Sequence, residues 1–351
     1  MPPAYYTSPE FLELEKDHVF RKEWVCLGHV GEIPEPGDYY TTDLIEEPLL
    51  VTRTRDNRVR VLSNVCRHRG NILAEGKGNR KKFTCSYHAW TYDAEGRLLS
   101  APLMDKVENF DKSGCRLPEF KSEIWNGFIY VNLDGNASPL AERLETLSGL
   151  IKNYQLGERR LVYSEDTTWE TNWKCLVENF MEGYHLTPTH ARTLHPMTPT
   201  ALCKKMLSGE YHTGYWSGYD PKFPDRKPYP EGLTEEERRK SPMFWVAPNH
   251  VVGLASNNCA YMCLRPVGVG KVAIRWGALS TEGPDSKIAK DYVALCHAFN
   301  AEDKVKLEAV QKGMKSRYLT PSPLAPEDFE GTIWDIYQFM AKRLGTDVAL
   351  D

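Results

Sequence analysis

Two short stretches hold residues whose types and spacing could bind a metal: Cys66-Arg67-His68-Arg69-Gly70 and Cys85-Ser86-Tyr87-His88-Ala89-Trp90. Each supplies one thiolate and one imidazole. Two sulfur and two nitrogen donors can close a tetrahedral structural zinc site. The usual zinc-finger order pairs Cys with Cys and His with His, whereas here each loop carries one of each. That mixed order suits a two-iron, two-sulfide cluster with both thiolates on one iron and both imidazoles on the other. Imidazole ligation raises the potential above that of an all-thiolate cluster, so such a centre accepts electrons from a ferredoxin or flavin donor.

A second group is weaker taken alone. His185 and His190 form a His-x4-His pair, and two structural histidines are the commoner explanation of such a pair. Pro188 lies between them, so a helix there must open for both rings to converge. His195 stands next to Pro196 and is read as structural.

The two Cys/His loops resemble the Rieske domain of the ring-hydroxylating oxygenase family, whose second loop usually reads Cys-Pro-Tyr-His-Gly-Trp. Ser86 and Ala89 depart from that pattern without removing a ligand, although Ala89 requires the backbone to accept a side chain where glycine is freer. The stretch from Asn172 to His190 resembles the family's iron-binding segment, with His185 and His190 on its ligand positions. Phe299–Gly313 resembles the segment that carries the carboxylate, nearest to the carnitine, choline and betaine branch. It places Asp303 on the ligand position, with Glu302 and Glu308 as alternatives; the plain reading is a helix start with acidic residues near its positive end.

The resemblance runs over nearly the whole chain, strongest at residues 60–100, 170–192 and 298–315. It implies a terminal oxygenase alpha subunit with a [2Fe–2S] cluster on Cys66, His68, Cys85 and His88, beside which Arg69 and Trp90 stand. It also implies a mononuclear Fe(II) on His185, His190 and Asp303, two histidines and a carboxylate that leave positions open for dioxygen and substrate. Glu182, three residues before His185 and hence on the same face of a helix, would join His185 to His88 of a neighbouring copy in a homotrimer. Asn179 would line the iron cavity.

The implied reaction is hydroxylation or oxidative demethylation of a small molecule, with a quaternary ammonium compound as candidate substrate. Electrons would come from NAD(P)H through a reductase. Ring cis-dihydroxylation is the runner-up, and a zinc or iron–sulfur electron-transfer module without oxygenase activity is the alternative of another class. Arg192 and Arg265 are candidates to hold a substrate carboxylate. The aromatic residues of 208–250 could cage a trimethylammonium group, stack on a ring or simply be core.

These residues need elements to position them. Residues 1–24 read as a short amphipathic helix with Phe11, Leu14, His18 and Val19 inward. Leu49–Arg55 and Arg58–Leu62 flank Asp56-Asn57 as a hairpin, and Gly127–Leu133 is a further strand. Asp134–Pro139 is the best boundary, with Ser138 as N-cap and Pro139 in the first helical position. Leu140, Leu144, Leu147 and Ile151 then recur at helical spacing. Arg160–Thr168 reads as a strand and Asn172–Tyr184 as a helix. Cys259–Arg265 with Lys271–Leu279 reads as a hairpin, and 285–299, 303–314 and 327–343 as helices. The fold class is α+β: an all-β Rieske domain (22–135), then a catalytic domain of antiparallel sheet and helices (136–351, helix-grip), with 1–21 as a helix packed on it.

With 351 residues and 41% hydrophobic content, two packed domains are affordable. A net charge of -4 offers no electrostatic footprint for nucleic acid. Arg238-Arg239-Lys240 follows three glutamates and reads as a solvated face. The N-terminal stretch lacks the basic and apolar regions of a signal peptide, and no apolar run reaches membrane-spanning length. Nine cysteines in an unexported chain are expected to be mostly reduced, which points to the cytoplasm.

Overall fold

The computed structural model describes residues 1–345. A seven-stranded antiparallel sheet runs in the order Val25–His29, Phe128–Asn132, Glu119–Trp125, Val59–Ser63, Glu47–Arg53, Asp38–Leu44, Lys77–Asn79. Beside it, Lys82–Thr84, Thr91–Asp93 and Leu98–Ser100 form a three-stranded sheet. The hairpin at Asp56-Asn57 forms as its turn residues require, with Asn57 at a positive φ of 64°.

A second seven-stranded antiparallel sheet follows the order Arg160–Trp169, Lys271–Ser280, Asn258–Gly268, His250–Leu254, Lys240–Val246, His212–Gly218, Cys203–Lys205. Helices Trp173–Phe180, Lys287–Gly313 and Glu327–Leu344 pack with it around one apolar core. The fold is α+β, as expected. None of the nine cysteines is in a disulfide, and among the described residues no helix is long and apolar enough to cross a membrane.

The two large sheets meet at Asn249, whose buried amide accepts from the Cys26 amide (2.8 Å) and donates to the carbonyls of Cys26 (2.9 Å) and Leu264 (3.0 Å). One side chain thus satisfies backbone groups of both sheets in the interior, where leaving them unpaired would cost about 1–3 kcal/mol each. Cys26 and Cys263 face each other there at 3.3 Å.

Several local expectations are corrected. The N-terminal segment folds as Ala4–Thr7 and Pro9–Glu15 followed by a wider turn over Lys16–Phe20. It buries Leu12, Glu15, Val19 and Phe20 and leaves Leu14 exposed. The inward face carries an acid because Glu15 pairs with buried Lys174 and accepts from Trp173 Nε1 at 2.7 Å, tying this segment to the helix before the histidines. Ser138 does not cap its helix; the amide of Leu140 is taken by Glu123 Oε2 (2.9 Å) from the neighbouring strand. The two helical patterns at 285–299 and 303–314 are one helix of 27 residues, Lys287–Gly313. Asp303 therefore lies inside a helix, and the helix-start reading of its acids is overturned.

Candidate active site

The cluster loops are built alike. In each, the fifth residue's amide closes on the cysteine carbonyl: Gly70 to Cys66 and Ala89 to Cys85, both at 3.0 Å. In each, the cysteine amide reaches the carbonyl five residues on, Asn71 or Trp90, at 2.8 Å. This closure needs a left-handed residue at the fifth place. Gly70 has φ +74° and Ala89 has φ +57°, so Ala89 holds a conformation that costs an L-residue roughly 1–2 kcal/mol.

The closure buries Cys66 and Cys85 and leaves His68 and His88 exposed, ring centroids 4.5 Å apart. Trp90 stacks on His68 at 4.9 Å. Tyr92 Oη lies 3.5 Å from Cys66 Sγ, and Asn71 Nδ2 donates to Cys85 Sγ (3.7 Å) and Ser86 Oγ (3.2 Å), linking the loops. Burial opposes ionisation of Cys85, yet the amides of Tyr87 and His88 and the Asn71 amide hold its thiol below the ordinary value. Two thiols and two imidazoles on paired loops, with donors already aimed at sulfur, fit a Rieske cluster.

The second site forms where the Trp173–Phe180 helix ends. Asn172 caps its start by accepting from the Lys174 amide (3.0 Å), and the helix stops at Phe180 rather than running on to Tyr184. Glu182 and His185 therefore do not share a helical face, contrary to the spacing argument. Glu182 instead turns back as a cap: Oε2 accepts from the amides of Tyr184 and, at 3.0 Å, His185, while Oε1 meets His185 Nδ1 at 2.5 Å. A one-turn helix, Leu186–Thr189, separates His185 from His190. Pro188 falls within that first turn, where its missing N–H removes no helical bond.

The long helix Lys287–Gly313 brings the carboxylate. Its buried stripe runs Tyr292, Cys296, Phe299, Asp303, Leu307, an acid set among apolar residues at helical spacing. Asp303 Oδ1 lies 3.1 Å from His190 Nε2 and 3.7 Å from His185 Nε2. One ligand atom from each of the three lies within 4.8 Å of the others. Asp303 Oδ1 is buried and makes no hydrogen bond, an omission that a cation among these atoms would explain.

Each histidine has a carboxylate on its outer nitrogen, Glu182 on His185 and Glu302 on His190 (2.7 Å), which leaves both Nε2 atoms facing the common point. Thr193 Oγ1 also donates to Glu302 (2.6 Å). Glu308 accepts instead from the Glu170 amide (3.2 Å), away from the site. Of the three acids left open, geometry puts Asp303 at the point of convergence and Glu302 behind His190. His195 is held by Thr187 Oγ1 (3.1 Å) and lies outside the group, as expected.

A cleft open to solvent at its mouth lies over these three residues. Asn179 lines it, and its aromatic walls are Phe180, Tyr215, Tyr292 and Phe299. Of the aromatic residues of 208–250, Tyr215 alone is among its lining residues; Trp216 stacks on Tyr154 and Tyr219 bonds Ser241, so the region builds the wall and not a cage. Arg192 is exposed, and Arg265 is held by Asp166 and the Asp43 carbonyl. Neither lines the cleft. Arg226 does, and no helical or strand periodicity marked it, because it sits in the irregular segment between two strands.

Residues 156–346 match the family described as the ring hydroxylating alpha subunit (catalytic domain), and residues 23–111 match the Rieske [2Fe-2S] domain. The chain belongs to the ring-hydroxylating oxygenase alpha-subunit family. Within it, the carnitine monooxygenase oxygenase subunit of Acinetobacter baumannii is 31% identical over 332 residues, covering 90% of this chain and 85% of that one. The Escherichia coli (strain K12) protein of the same name is 28% identical over 337 residues, covering 90% and 84%. The quaternary ammonium Rieske monooxygenase CntA, solved with L-carnitine, superposes with a TM-score of 0.82 at 26% identity, covering 98% of this chain and 94% of that one. Naphthalene 1,2-dioxygenase from Rhodococcus sp. shares the fold, with a TM-score of 0.83 at 22% identity, covering 99% and 95%. The chain is thus a terminal oxygenase subunit that works with a Rieske [2Fe–2S] cluster, non-haem iron and dioxygen, and takes electrons from a partner reductase or ferredoxin.

Proposed function

We propose that the chain is a monooxygenase acting on a small organic molecule, with a quaternary ammonium compound as the candidate substrate. Cys66, His68, Cys85 and His88 would hold the cluster, with Arg69 and Trp90 beside it, and His185, His190 and Asp303 would hold the iron. The observation that carries the reading is the convergence of two histidines and an unsatisfied buried carboxylate under a cleft, in a chain that also carries the cluster loops. Iron held there supplies the activation of dioxygen.

The chain's own residues do the rest. Glu182 and Glu302 keep the Nδ1 protons of His185 and His190, so both Nε2 lone pairs stay free for metal. Phe180, Leu186, Tyr215 and Phe299 line the cleft over the three residues and limit its water. Asn179 offers an amide at its edge. Monooxygenation is favoured over ring dihydroxylation because the carnitine monooxygenases match 90% of the chain at 28–31% identity, whereas naphthalene 1,2-dioxygenase, alike in fold over 99% of it, is 22% identical.

We assign Glu182 as the link from His185 to His88 of a second copy in a homotrimer, since His88 is exposed and Glu182 lies beside exposed Tyr184. We further propose domains at 22–135 and 136–351 and a cytoplasmic location. Oxygen uptake, screened with quaternary amines and aromatic acids in the presence of a reductase, tests the activity. Metal and acid-labile sulfide counts test the sites. His185→Ala should lose mononuclear iron and keep the cluster; a colourless zinc protein, or loss of both centres together, overturns the assignment.

A further inference from the structure

The cleft over His185, His190 and Asp303 has one side chain of fixed positive charge, Arg226. Among the described residues its one side-chain hydrogen bond runs from Nη1 to the Met197 thioether at 3.3 Å, a weak acceptor for a group with five N–H donors. The neighbouring carboxylate, Asp225, is taken by Arg239 Nη1 (3.2 Å) and Tyr229 Oη (3.3 Å). Among the described residues Arg226 has no carboxylate partner. Its guanidinium carbon stands 5.8 Å from the centroid of Tyr292, which also lines the cleft.

The segment is anchored even so. The Arg226 carbonyl accepts from Ser256 Oγ and the Lys227 carbonyl from Asn257 Nδ2, both at 3.1 Å, so the backbone is pinned to the turn next to Ala255 on the cleft wall. A pinned backbone carrying a cation short of acceptors is preorganised for an anion. The charge balance agrees. Among the described residues Asp303 is the one carboxylate lining the cleft, and it faces the two histidines.

We propose that Arg226 is a specificity-determining residue that holds a substrate carboxylate, so that the enzyme takes carboxylic acids, zwitterions included, in preference to the same compounds without the acid group. A guanidinium meets a carboxylate with two parallel N–H···O bonds, while the apolar body of the molecule reaches along Phe299 and Leu186 towards the histidines. This rests on the proposed oxygenase reading for what happens to the bound acid, but not for the binding itself.

The test is calorimetric binding to the iron- and cluster-loaded enzyme, with iron and sulfide counted, using matched probes: L-carnitine and glycine betaine against choline, and benzoate and 2-aminobenzoate against aniline. At least one acid should bind about tenfold or more tightly than its counterpart. Arg226→Gln should lose about tenfold towards that acid and leave the counterpart unchanged, and Arg226→Lys should recover part of the loss. Retained counterpart binding and far-ultraviolet circular dichroism show that the variants fold. If no acid binds, or if Arg226→Gln keeps acid affinity within about threefold, the proposal is overturned. Failure of the oxygenase reading looks different: binding would follow this pattern, but no probe would raise oxygen uptake.

Discussion

Replacing Glu302 separates a residue that holds iron from one that holds a ligand in place. Oε2 of Glu302 accepts from both His190 Nδ1 (2.7 Å) and Thr193 Oγ1 (2.6 Å). Losing the carboxylate behind a ligating histidine typically lowers metal affinity 10- to 100-fold, or about 1.4–2.7 kcal/mol. Glutamine keeps an oxygen that can accept both bonds but removes the charge, so Glu302→Gln should lie near the lower figure, about tenfold. Glu302→Ala removes both bonds and should approach about 100-fold. Asp303→Ala, which deletes the proposed ligand, should leave the mononuclear site empty at any practical iron concentration. Glu308→Gln should change nothing, because Glu308 faces the Glu170 amide. The assay is competition for Fe(II) against a coloured chelator, with visible cluster absorbance as the internal standard for folded protein. Glu302→Gln with wild-type iron affinity, or Glu308→Gln with a loss, would refute the division of roles among the three acids.

Ala89→Gly should stabilise the cluster loop by about 0.5–1 kcal/mol, the relief of a left-handed alanine (φ +57°) less the added freedom of the unfolded chain. The readout is the guanidinium concentration at which cluster absorbance is half lost, and an unchanged or lower midpoint would contradict it. Glu182→Gln should weaken iron binding about tenfold, as Glu302→Gln does, and, once loaded with both metals, abolish coupled oxygen uptake; unchanged uptake would remove Glu182 from the electron path. Burial pushes the Glu178 carboxyl, which accepts from Tyr6 Oη at 2.7 Å, up from 4.5 to about 7. The unfolded chain then releases this proton at lower pH than the folded one, so its contribution to stability is present below 4.5 and is lost as pH rises to about 7. Glu178→Gln should match wild type near pH 5 and exceed it by about 1–2 kcal/mol at pH 8, discounted for partial solvent access; a pH-independent difference in denaturation would count against it.

Features that depend on neighbours along the chain are legible in its residues. The cluster loops close through hydrogen bonds spanning four and five residues, so Cys66, His68, Cys85 and His88 carry their geometry in their spacing. His185 and His190 flank a single turn, and their pairing was legible for the same reason. The hairpin read as Cys259–Arg265 with Lys271–Leu279 followed from the glycines of its turn, and it forms as Asn258–Gly268 with Lys271–Ser280.

Tertiary structure decided what joins distant segments. Glu302 meets His190 across 112 residues, and which of three nearby acids faces the histidines depends on the rotation of a 27-residue helix about its axis. The apolar stripe around Asp303 encodes that rotation only once the helix is known to be continuous. No local pattern marks Glu15 as buried, because its partner Lys174 lies 159 residues on, and burying either alone would leave an unpaired charge. Glu182 reached His185 by capping a turn, a path that helix periodicity does not describe. Arg226 lies in an irregular segment, where side-chain direction has no period, so only the packed sheet could show that it faces the cleft.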